Sequence, residues 1–434
     1  MGIPVAYWIL HIADPHFGRA HFHFTDPKEI GRRHAREVKK VLLDYDLLRA
    51  PFHAIVLSGD FTFAYDPVGL ESAAQFVADI SDLADRRAMI VIPGNHDVDL
   101  SDNLPFGKFS IPVEKKPAEE KFRSFLDAIH EYVWDPNVWL SMTLRLEDEG
   151  ESGLVLLGMN SCRVERHDAR GWGYVGLDQV YELGAQLVAP RAGGAGAKDG
   201  DVIIGITHHN LLPVWDLELG ALTLVPGERK LSFTVDAASV LHALSDFGIA
   251  ALLHGHTHIL SEKHVAGYGE EDAESTMVLG AGSLGFFHPT CNEHHLQILE
   301  VDSNSVKIYD LTSQAHQRNA DRLWGLAPRR EVKIARRWKR DRARRALARM
   351  KADAGRARWD WEAMDSWSRL RASRDPARWP AVLEEIYQDV RRLPGGEKAT
   401  RERVATLIQI LFDAPPNDEE IAGLTLQEYL LPRL

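Results

Sequence analysis

Histidine, aspartate and asparagine residues recur in this sequence directly after short apolar segments, and such side chains are ligands for divalent transition metals. The segments, each with the polar residues that follow it, are YWILHIA before Asp14 and His16, AIVLSG before Asp60, MIVIPG before Asn95, His96 and Asp97, VIIGIT before His208, and ALLHG before His256 and His258. The chain has only 2 cysteines, which excludes a disulfide framework and a cysteine-rich metal site. Any metal must therefore be held by imidazole, carboxylate and amide groups.

One polar residue after an apolar segment has an ordinary explanation. Asp14 before Pro15 is typical of a turn, Asp60 after a glycine is typical of a helix N-cap, and a lone buried histidine is commonly a hydrogen-bonded core residue. Five such junctions together favour a single crevice at the carboxyl ends of strands, where open α/β sheets bind ligands. The glycines before Asp60, Asn95 and His256 fit tight turns in which the backbone approaches an ion closely.

The elements that position these residues alternate, up to Asp310, between short β-branched segments and longer amphipathic ones, which predicts an α/β fold. Strands are predicted at residues 7–12, 54–57, 89–92, 142–146, 154–159, 202–206, 249–253, 277–279, 295–301 and 305–311. Helices are predicted at residues 28–47, 69–83, 118–132, 177–188 and 237–247. So many strands indicate more than one sheet.

The order D-x-H, G-D, G-N-H-D, H and G-H-x-H resembles that of the calcineurin-like metallophosphoesterases over about residues 5–310. The span GDFTFAYDPVGLESAAQF is similar to the branch that acts on cyclic nucleotides and related small phosphodiesters, the class III cyclic nucleotide phosphodiesterases. It lacks the acidic G-D-[LV]-F-D run of the recombination nucleases. The resemblance implies two facing mixed β-sheets flanked by helices, an αββα sandwich, with the site at the strand ends.

The resemblance also implies two divalent transition-metal ions, of Mn, Fe, Zn or Co, as cofactors. The ligands it implies are Asp14, His16, Asp60 and His258 for one metal, and Asp60, Asn95, His208 and His256 for the other. The shared carboxylate of Asp60 would bridge cations about 3.5–4 Å apart and offset their mutual repulsion. A metal-bridging hydroxide is then the expected nucleophile.

Five further residues are candidates for contact with the substrate or for support of such a contact. In the family His96 faces the substrate, where it would stabilise charge on the phosphoryl group or protonate the leaving oxygen. Asp97 would hold that imidazole, or cap a helix. His209 would either support the ligands or contact the substrate. In the loop at residues 163–173, Arg170 could bind a phosphate and Trp172 could stack on a base, although a solvated surface loop explains both equally well.

Charge divides the chain into two predicted domains, a catalytic domain at 1–310 and a basic, tryptophan-rich all-α extension at 311–434. Residues 318–358 contain 16 Lys and Arg but only 4 Asp and Glu, and a helix is predicted at residues 330–351. Three roles are open for the tail. It could pack against the acidic catalytic domain, bind nucleic acid with Trp338 and Trp359 stacking on bases, or bind a protein partner or a second copy of the chain.

The leading hypothesis is a phosphoesterase that hydrolyses a cyclic nucleotide or a related small phosphodiester. The alternatives are a nuclease with the basic tail as its binding arm, a phosphomonoesterase or protein phosphatase, and a metal-binding regulatory module. No apolar segment is long enough to span a membrane, and the first motif begins at Asp14, which leaves no room for a cleaved leader. A cytoplasmic protein without membrane contact is therefore expected.

Overall fold

The computed structural model shows two mixed β-sheets flanked by helices, which confirms the predicted fold class. The structure describes residues 6–18, 26–47, 51–63, 65–84, 88–99, 121–132, 141–147, 152–163, 173–190, 196–212, 234, 236–265, 275–285, 293–314, 324–334 and 337–351. These residues belong to one compact unit that runs to Ala354, apart from segments 101–115 and 166–169.

The strands are β1 Tyr7–Ile12, β2 Ala54–Ser58, β3 Met89–Ile92, β4 Met142–Leu146, β5 Leu154–Gly158, β6 Val202–Ile206, β7 Ala251–His254, β8 Leu260–Val265, β9 Thr276–Ala281, β10 Glu293–Val301, β11 Ser305–Gln314, β12 Trp324–Leu326 and β13 Arg330–Lys333. The α-helices are α1 Pro27–Asp44, α2 Pro67–Ile80, α3 Arg123–Ile129, α4 Leu177–Val188, α5 Ala237–Asp246 and α6 at residues 340–351. Short 3₁₀ helices lie at Ser81–Leu83, Asn95–Asp97 and His130–Tyr132.

The strand order places the parallel strands at one end of the first sheet and at the centre of the second. The first sheet has the order β12-β11-β10-β1-β2-β3, with β13 also paired to β11, and β1, β2 and β3 are parallel. The second sheet has the order β4-β5-β6-β7-β9-β8, in which β5, β6, β7 and β9 are parallel. Since the carboxyl ends of parallel strands meet at one edge, the loops that follow β1 to β3, and those that follow β6 and β7, are each brought together.

Alternation along the central strands divides their side chains between two cores. Leu154 and Leu156 of β5 pack in a core shared with the first sheet, whereas Val155 and Leu157 face a second core that includes residues of α4, α5 and α6. Strands buried on both faces consist almost wholly of apolar residues, which explains why the sequence alone predicts these strands.

Helices α1 and α2 begin where the chain supplies both an N-cap and a proline. Asp26 and Asp66 are the N-caps, and each side chain accepts a hydrogen bond from the backbone amide two residues further on, at 3.1 Å and 3.0 Å. Pro27 and Pro67 occupy the first helical position, where no intrahelical amide hydrogen bond is lost. Within the described part of the chain, no helix combines the length and the apolar character that a membrane span requires.

The helix predicted at residues 330–351 is wrong in its first part. Arg330–Lys333 is strand β13, which pairs antiparallel with β11 and places Val332 opposite Val306. Burial alternates along this segment and ends at the buried Ile334, so pairing with β11 overrides the local helix propensity. Strands β8 and β12 were not predicted. The first sheet also continues past the predicted domain boundary at 310, because β11 extends to Gln314 and β12 and β13 follow.

The described part of the basic segment packs onto the second sheet. Trp338 is completely buried in the second core, beside the buried Ala343, Ala346 and Met350 of α6. Arg342 donates hydrogen bonds to the carbonyl oxygens at the end of α5, at 3.0 Å. Trp338 therefore cannot stack on a base, and this part of the tail packs against the second sheet. Trp359 lies outside the described residues.

Candidate metal centre

Loops from both sheets carry the predicted metal ligands to one place. The ligands from the first sheet follow β1, β2 and β3, and they are Asp14, His16, Asp60 and Asn95. The ligands from the second sheet follow β6 and β7, and they are His208, His256 and His258. The two sets meet, because the backbone amide of His256 donates to the Asp14 carboxylate at 3.0 Å. The site therefore lies where the strand ends of the two sheets face each other.

The first group of ligand atoms comprises one atom each from Asp14, His16, Asp60 and His258, all within 4.8 Å of one another. The Nε2 atoms of His16 and His258 are 2.9 Å apart, and the His16 Nε2 atom lies 3.8 Å from Asp60 Oδ2. Asp14, His16 and Asp60 are fully or almost fully buried. This mixed nitrogen and oxygen set suits a transition-metal ion better than calcium.

The second group surrounds the Nε2 atom of His208. That atom lies 2.9 Å from Asn95 Oδ1, 3.2 Å from His256 Nδ1 and 3.4 Å from Asp60 Oδ1. The two carboxylate oxygens of Asp60 thus face different histidines, Oδ2 towards His16 and Oδ1 towards His208. This is the geometry expected of a carboxylate shared by two cations.

Hydrogen bonds on the far side of two rings determine which nitrogen faces the site. The Nδ1–H group of His16 donates to the Thr62 carbonyl oxygen at 3.2 Å, and the Nδ1–H group of His208 donates to the Ser58 carbonyl oxygen at 2.9 Å. A neutral imidazole that donates from Nδ1 has a lone pair at Nε2. These lone pairs face other acceptors at close range, so a cation fits between them, as in other histidine metal sites.

The backbone at these residues is strained. Five of the seven predicted ligands have positive φ: Asp14 at 52°, His16 at 50°, Asp60 at 54°, His256 at 65° and His258 at 58°. Non-glycine residues rarely adopt this conformation, and where they do they cluster at functional sites.

Two glycines make the close approach of the loops feasible. A Cβ atom on Gly59 would lie 2.7 Å from the Gly94 nitrogen and 2.7 Å from His208 Nδ1, and one on Gly94 would lie 2.1 Å from Asp60 Oδ1. Any side chain at these two positions would therefore push the ligand loops apart.

The buried carboxylates at the site favour the presence of positive charge there. Burial alone would raise the pKa of Asp60, but the His208 and His96 imidazoles outweigh it and hold that pKa well below its ordinary value. Burial would lower the pKa of His208, but the Asp60 carboxylate outweighs it and raises the pKa to about 9. Burial raises the pKa of Asp14 well above its ordinary value. Either a proton on His208 or a bound cation can supply this positive charge, so metal binding competes with protonation of His208.

His96 lies at the edge of the site and is half-buried. Its backbone amide donates to Asp60 Oδ1 at 2.8 Å, and its ring stacks on Phe63, with centroids 5.6 Å apart and an interplanar angle of 20°. The edge of the ring meets the His16 ring at 5.3 Å. Sequence reasoning did not identify Phe63, although it lies three residues after Asp60 in the span that carried the family resemblance.

The carboxylate of Asp97 is hydrogen-bonded to backbone amide groups. It accepts hydrogen bonds from the backbone amides of Phe61 at 3.1 Å, Thr62 at 2.9 Å and Gly94 at 2.8 Å. Asp97 therefore fastens the loop after β2 to the turn after β3, which is close to the capping role considered as its alternative. The support of the His96 ring by Asp97 remains a prediction.

The remaining candidates divide into one residue at the site and two that cannot be assigned. His209 is completely buried, and its ring centroid lies 5.0 Å from that of His208 and 4.4 Å from that of His256. A ring nitrogen of His209 lies within 4.8 Å of ligand nitrogens of those two histidines. Arg170 and Trp172 lie outside the described residues.

Comparison with known proteins gives a sequence match and weak structural matches. The sequence profile of the calcineurin-like phosphoesterases matches residues 7–260. A search of curated protein sequences found no match. Similar solved structures include a Vps29 single mutant from Entamoeba histolytica, with 13% identity, 76% of this chain and 99% of that chain covered and a TM-score of 0.28. Chaetomium thermophilum Vps29 has 10% identity, 76% and 97% coverage and a TM-score of 0.30. A predicted phosphoesterase from Streptococcus pneumoniae has 12% identity, 76% and 99% coverage and a TM-score of 0.25.

Proposed function

Because the chain belongs to the calcineurin-like phosphoesterase family, a family of metal-dependent hydrolases, we propose that it uses two metal ions to hydrolyse phosphodiesters. The substrate class we propose is a cyclic nucleotide or a related small phosphodiester. The observation that carries the two-metal proposal is the position of Asp60, whose two carboxylate oxygens face His16 on one side and His208 on the other.

The seven clustered residues would hold the two ions. Asp14, His16, Asp60 and His258 would bind one, and Asp60, Asn95, His208 and His256 would bind the other. The donor set suits Mn, Fe, Zn or Co. When bound, two such cations lower the pKa of water and polarise the phosphoryl group.

His96 would act on the substrate directly. Its ring is fixed by Phe63 on one face and approached by the His16 ring, and its backbone amide is held by Asp60. A half-buried imidazole beside the ligands can donate a proton to the leaving oxygen or stabilise negative charge on the phosphoryl oxygens. Asp97 would act indirectly, since its three amide contacts keep the Asp60 and His96 loops in register.

The preference for diesters draws on the span around Asp60, which resembles the cyclic nucleotide branch. The nuclease alternative loses part of its support, because Trp338 is buried and Arg342 is bound to the end of α5. Arg344 and Arg345 remain exposed on α6. Retention of single-stranded and duplex DNA at two salt concentrations tests that face, since binding through phosphates weakens steeply with salt.

A hydrolysis panel with added Mn tests the proposal. The substrates are bis-p-nitrophenyl phosphate, p-nitrophenyl phosphate, 3′,5′-cyclic and 2′,3′-cyclic nucleotides, and single-stranded DNA. We expect a metal-dependent activity that is greater on the diesters than on p-nitrophenyl phosphate. A preference for the monoester would overturn the diester assignment in favour of a phosphomonoesterase.

Variants show whether the activity comes from this site. Asp60→Asn should abolish hydrolysis and lower the metal content measured by elemental analysis, because it removes the charge that both ions share. Asp82→Asn, at an exposed aspartate that pairs with Lys39, is the matched control and should change neither. A folded Asp60→Asn protein with full metal content, or a metal-loaded wild type that hydrolyses no phosphoester, would overturn the proposal. A wild-type protein that binds metal but hydrolyses no phosphoester would favour a metal-binding regulatory module.

A further inference from the structure

His209 differs from its neighbour His208 in what surrounds its Nδ1 atom. The hydroxyl oxygen of Ser161 accepts a hydrogen bond from the His209 backbone amide at 3.0 Å, and the same oxygen lies 2.9 Å from His209 Nδ1. Both residues are completely buried. The Sγ atom of Cys162 also lies near Nδ1, but at the longer distance of 3.9 Å, so the partners of the Ser161 hydroxyl group decide the tautomer of the ring.

The hydroxyl group of Ser161 has one proton to donate. Within the described structure, the acceptor in contact with that hydroxyl is His209 Nδ1. If Nδ1 carried the proton instead, the buried hydroxyl hydrogen would have no acceptor, whereas an Nε2–H group beside the ligand residues lacks an acceptor only until a bound molecule supplies one. Ser161 therefore donates to Nδ1, and the neutral ring of His209 carries its own proton at Nε2.

This tautomer is opposite to that of the proposed ligands His16 and His208. Those two rings donate from Nδ1 to carbonyl oxygens and keep a lone pair at Nε2. The Nε2 atom of His209 is instead a hydrogen-bond donor without a lone pair. It is buried and has no hydrogen-bond partner among the described residues.

The ring of His209 is also fixed in place. A Cβ atom on Gly173 would lie 2.5 Å from the Cβ atom of His209, so only glycine permits this contact. The ring also lies against that of His256, with centroids 4.4 Å apart and an interplanar angle of 49°. The N–H group is therefore held beside the second ligand group without a partner among the described residues.

We propose that His209 is a substrate-binding residue, whose Nε2–H group donates a hydrogen bond to a non-bridging oxygen of a phosphoryl group bound at the metal centre. This inference rests on the proposed phosphoesterase function and adds a residue to it. A neutral donor fixed in position stabilises negative charge on that oxygen without competing for the metal. Ser161 is then a positioning residue, because it determines which ring nitrogen carries the proton.

Three variants of the full-length protein test the proposal. His209→Asn retains a polar group near the Nδ1 position but has no atom at the Nε2 position. His209→Gln can place an amide N–H group near the Nε2 position. Ser161→Ala keeps the imidazole but removes the hydroxyl group that determines its tautomer. His34→Gln, at a buried histidine on α1, is the control. The measurements are metal content by elemental analysis, affinity of the Mn-loaded protein for inorganic phosphate by calorimetry, and kcat and KM on bis-p-nitrophenyl phosphate.

All variants should retain the wild-type metal content. Phosphate affinity should fall on the order of 10- to 100-fold in His209→Asn, the range for loss of a hydrogen bond to a charged group. It should fall less in His209→Gln and in Ser161→Ala, and the control should match wild type. Because Ser161→Ala keeps the histidine, it remains informative if the His209 variants fail to fold.

Other outcomes would overturn the proposal. Loss of metal in the His209 variants would make His209 a ligand. Unchanged phosphate affinity with a lower melting temperature would make it a structural residue. A wild-type protein that binds metal and phosphate but hydrolyses no ester would refute the phosphoesterase function, while the phosphate affinities would still decide the role of His209.

Discussion

Replacing Trp338 with alanine should destabilise the folded protein by about 3–5 kcal/mol, the usual range for truncation of a buried aromatic side chain. The indole is completely buried in the second core, so the change removes apolar contact and leaves a cavity. The backbone of Trp338 donates to the Asp201 carbonyl oxygen and accepts from the Gly200 amide, both at 3.0 Å. Because the chain is held at this point, it cannot readily move to fill the cavity.

Trp338→Phe should cost much less, under about 2 kcal/mol, because it keeps most of the ring volume. It also removes an indole N–H group that is buried and has no hydrogen-bond partner in the described part of the chain. Because both variants lack the indole N–H group, the difference in stability between them measures the effect of side-chain volume alone.

Guanidinium unfolding followed by circular dichroism measures these differences, since a shift in midpoint at constant slope is a change in stability. Leu326→Ala, at a residue with 40% of its surface exposed, is the control and should change stability by less than about 0.5 kcal/mol. A loss below about 1 kcal/mol for Trp338→Ala would refute its assignment to the core. Loss of DNA retention without loss of stability would instead support base stacking by Trp338.

Other predictions concern the site and its surroundings. His96→Ala should retain its metal and lose about 10²- to 10⁴-fold in kcat. If His96 is a general acid, the loss should be smaller for p-nitrophenolate than for alkoxide leaving groups. Equal losses for both would show that His96 stabilises charge instead. Asp97→Asn should lower stability by about 1–3 kcal/mol in chemical unfolding, because an amide donor would replace one acceptor of three backbone amides; an unchanged midpoint would contradict this. Burial lowers the pKa of His11 to about 4, so its contribution to stability is complete above about pH 6.5 and is lost as the pH falls through 4. As the pH is lowered from 6.5 to 4, the free energy of unfolding of the wild type should fall by about 1.4 kcal/mol per pH unit more than that of His11→Gln. Parallel curves of unfolding free energy against pH for the two proteins would refute the pKa shift. Mn at 100 times its dissociation constant should stabilise the wild type by about 2.7 kcal/mol in thermal or chemical unfolding, an effect that a chelator should reverse and that Asp60→Asn should lack.

The location of the ligand residues was predictable because it depends on local pattern and one rule of topology. Apolar segments such as those before Asp60 and His208 are buried on both faces, and parallel strands end on the same edge of a sheet. The structure brings the seven residues together, and their role as ligands remains a prediction. The tautomer of His208 could not have been predicted, because its partner, the Ser58 carbonyl oxygen, lies 150 positions away in the chain.

The errors arose where tertiary contacts override local preference. The segment REVK contains good helix formers, but pairing with β11 makes it a strand. The contacts of the Asp97 carboxylate with three backbone amides were likewise not predictable from its position next to His96 in the chain. Trp338 lies among arginines, which left nucleic-acid contact open as one of three interpretations, and only its packing shows that it is a core residue.

The central position of β1 imposes an order of events on the synthesis of the chain. Leu10 of β1 lies opposite Ile298 of β10, whereas the second sheet is formed entirely from the continuous segment between Met142 and Ala281. At roughly 5–20 residues per second, the ribosome needs about 15 to 60 s to make β10 after β1 has emerged. During that interval one long edge of an apolar strand has no pairing partner. The nascent chain is therefore most exposed to aggregation before the first sheet can close, and the second sheet can form well before that point.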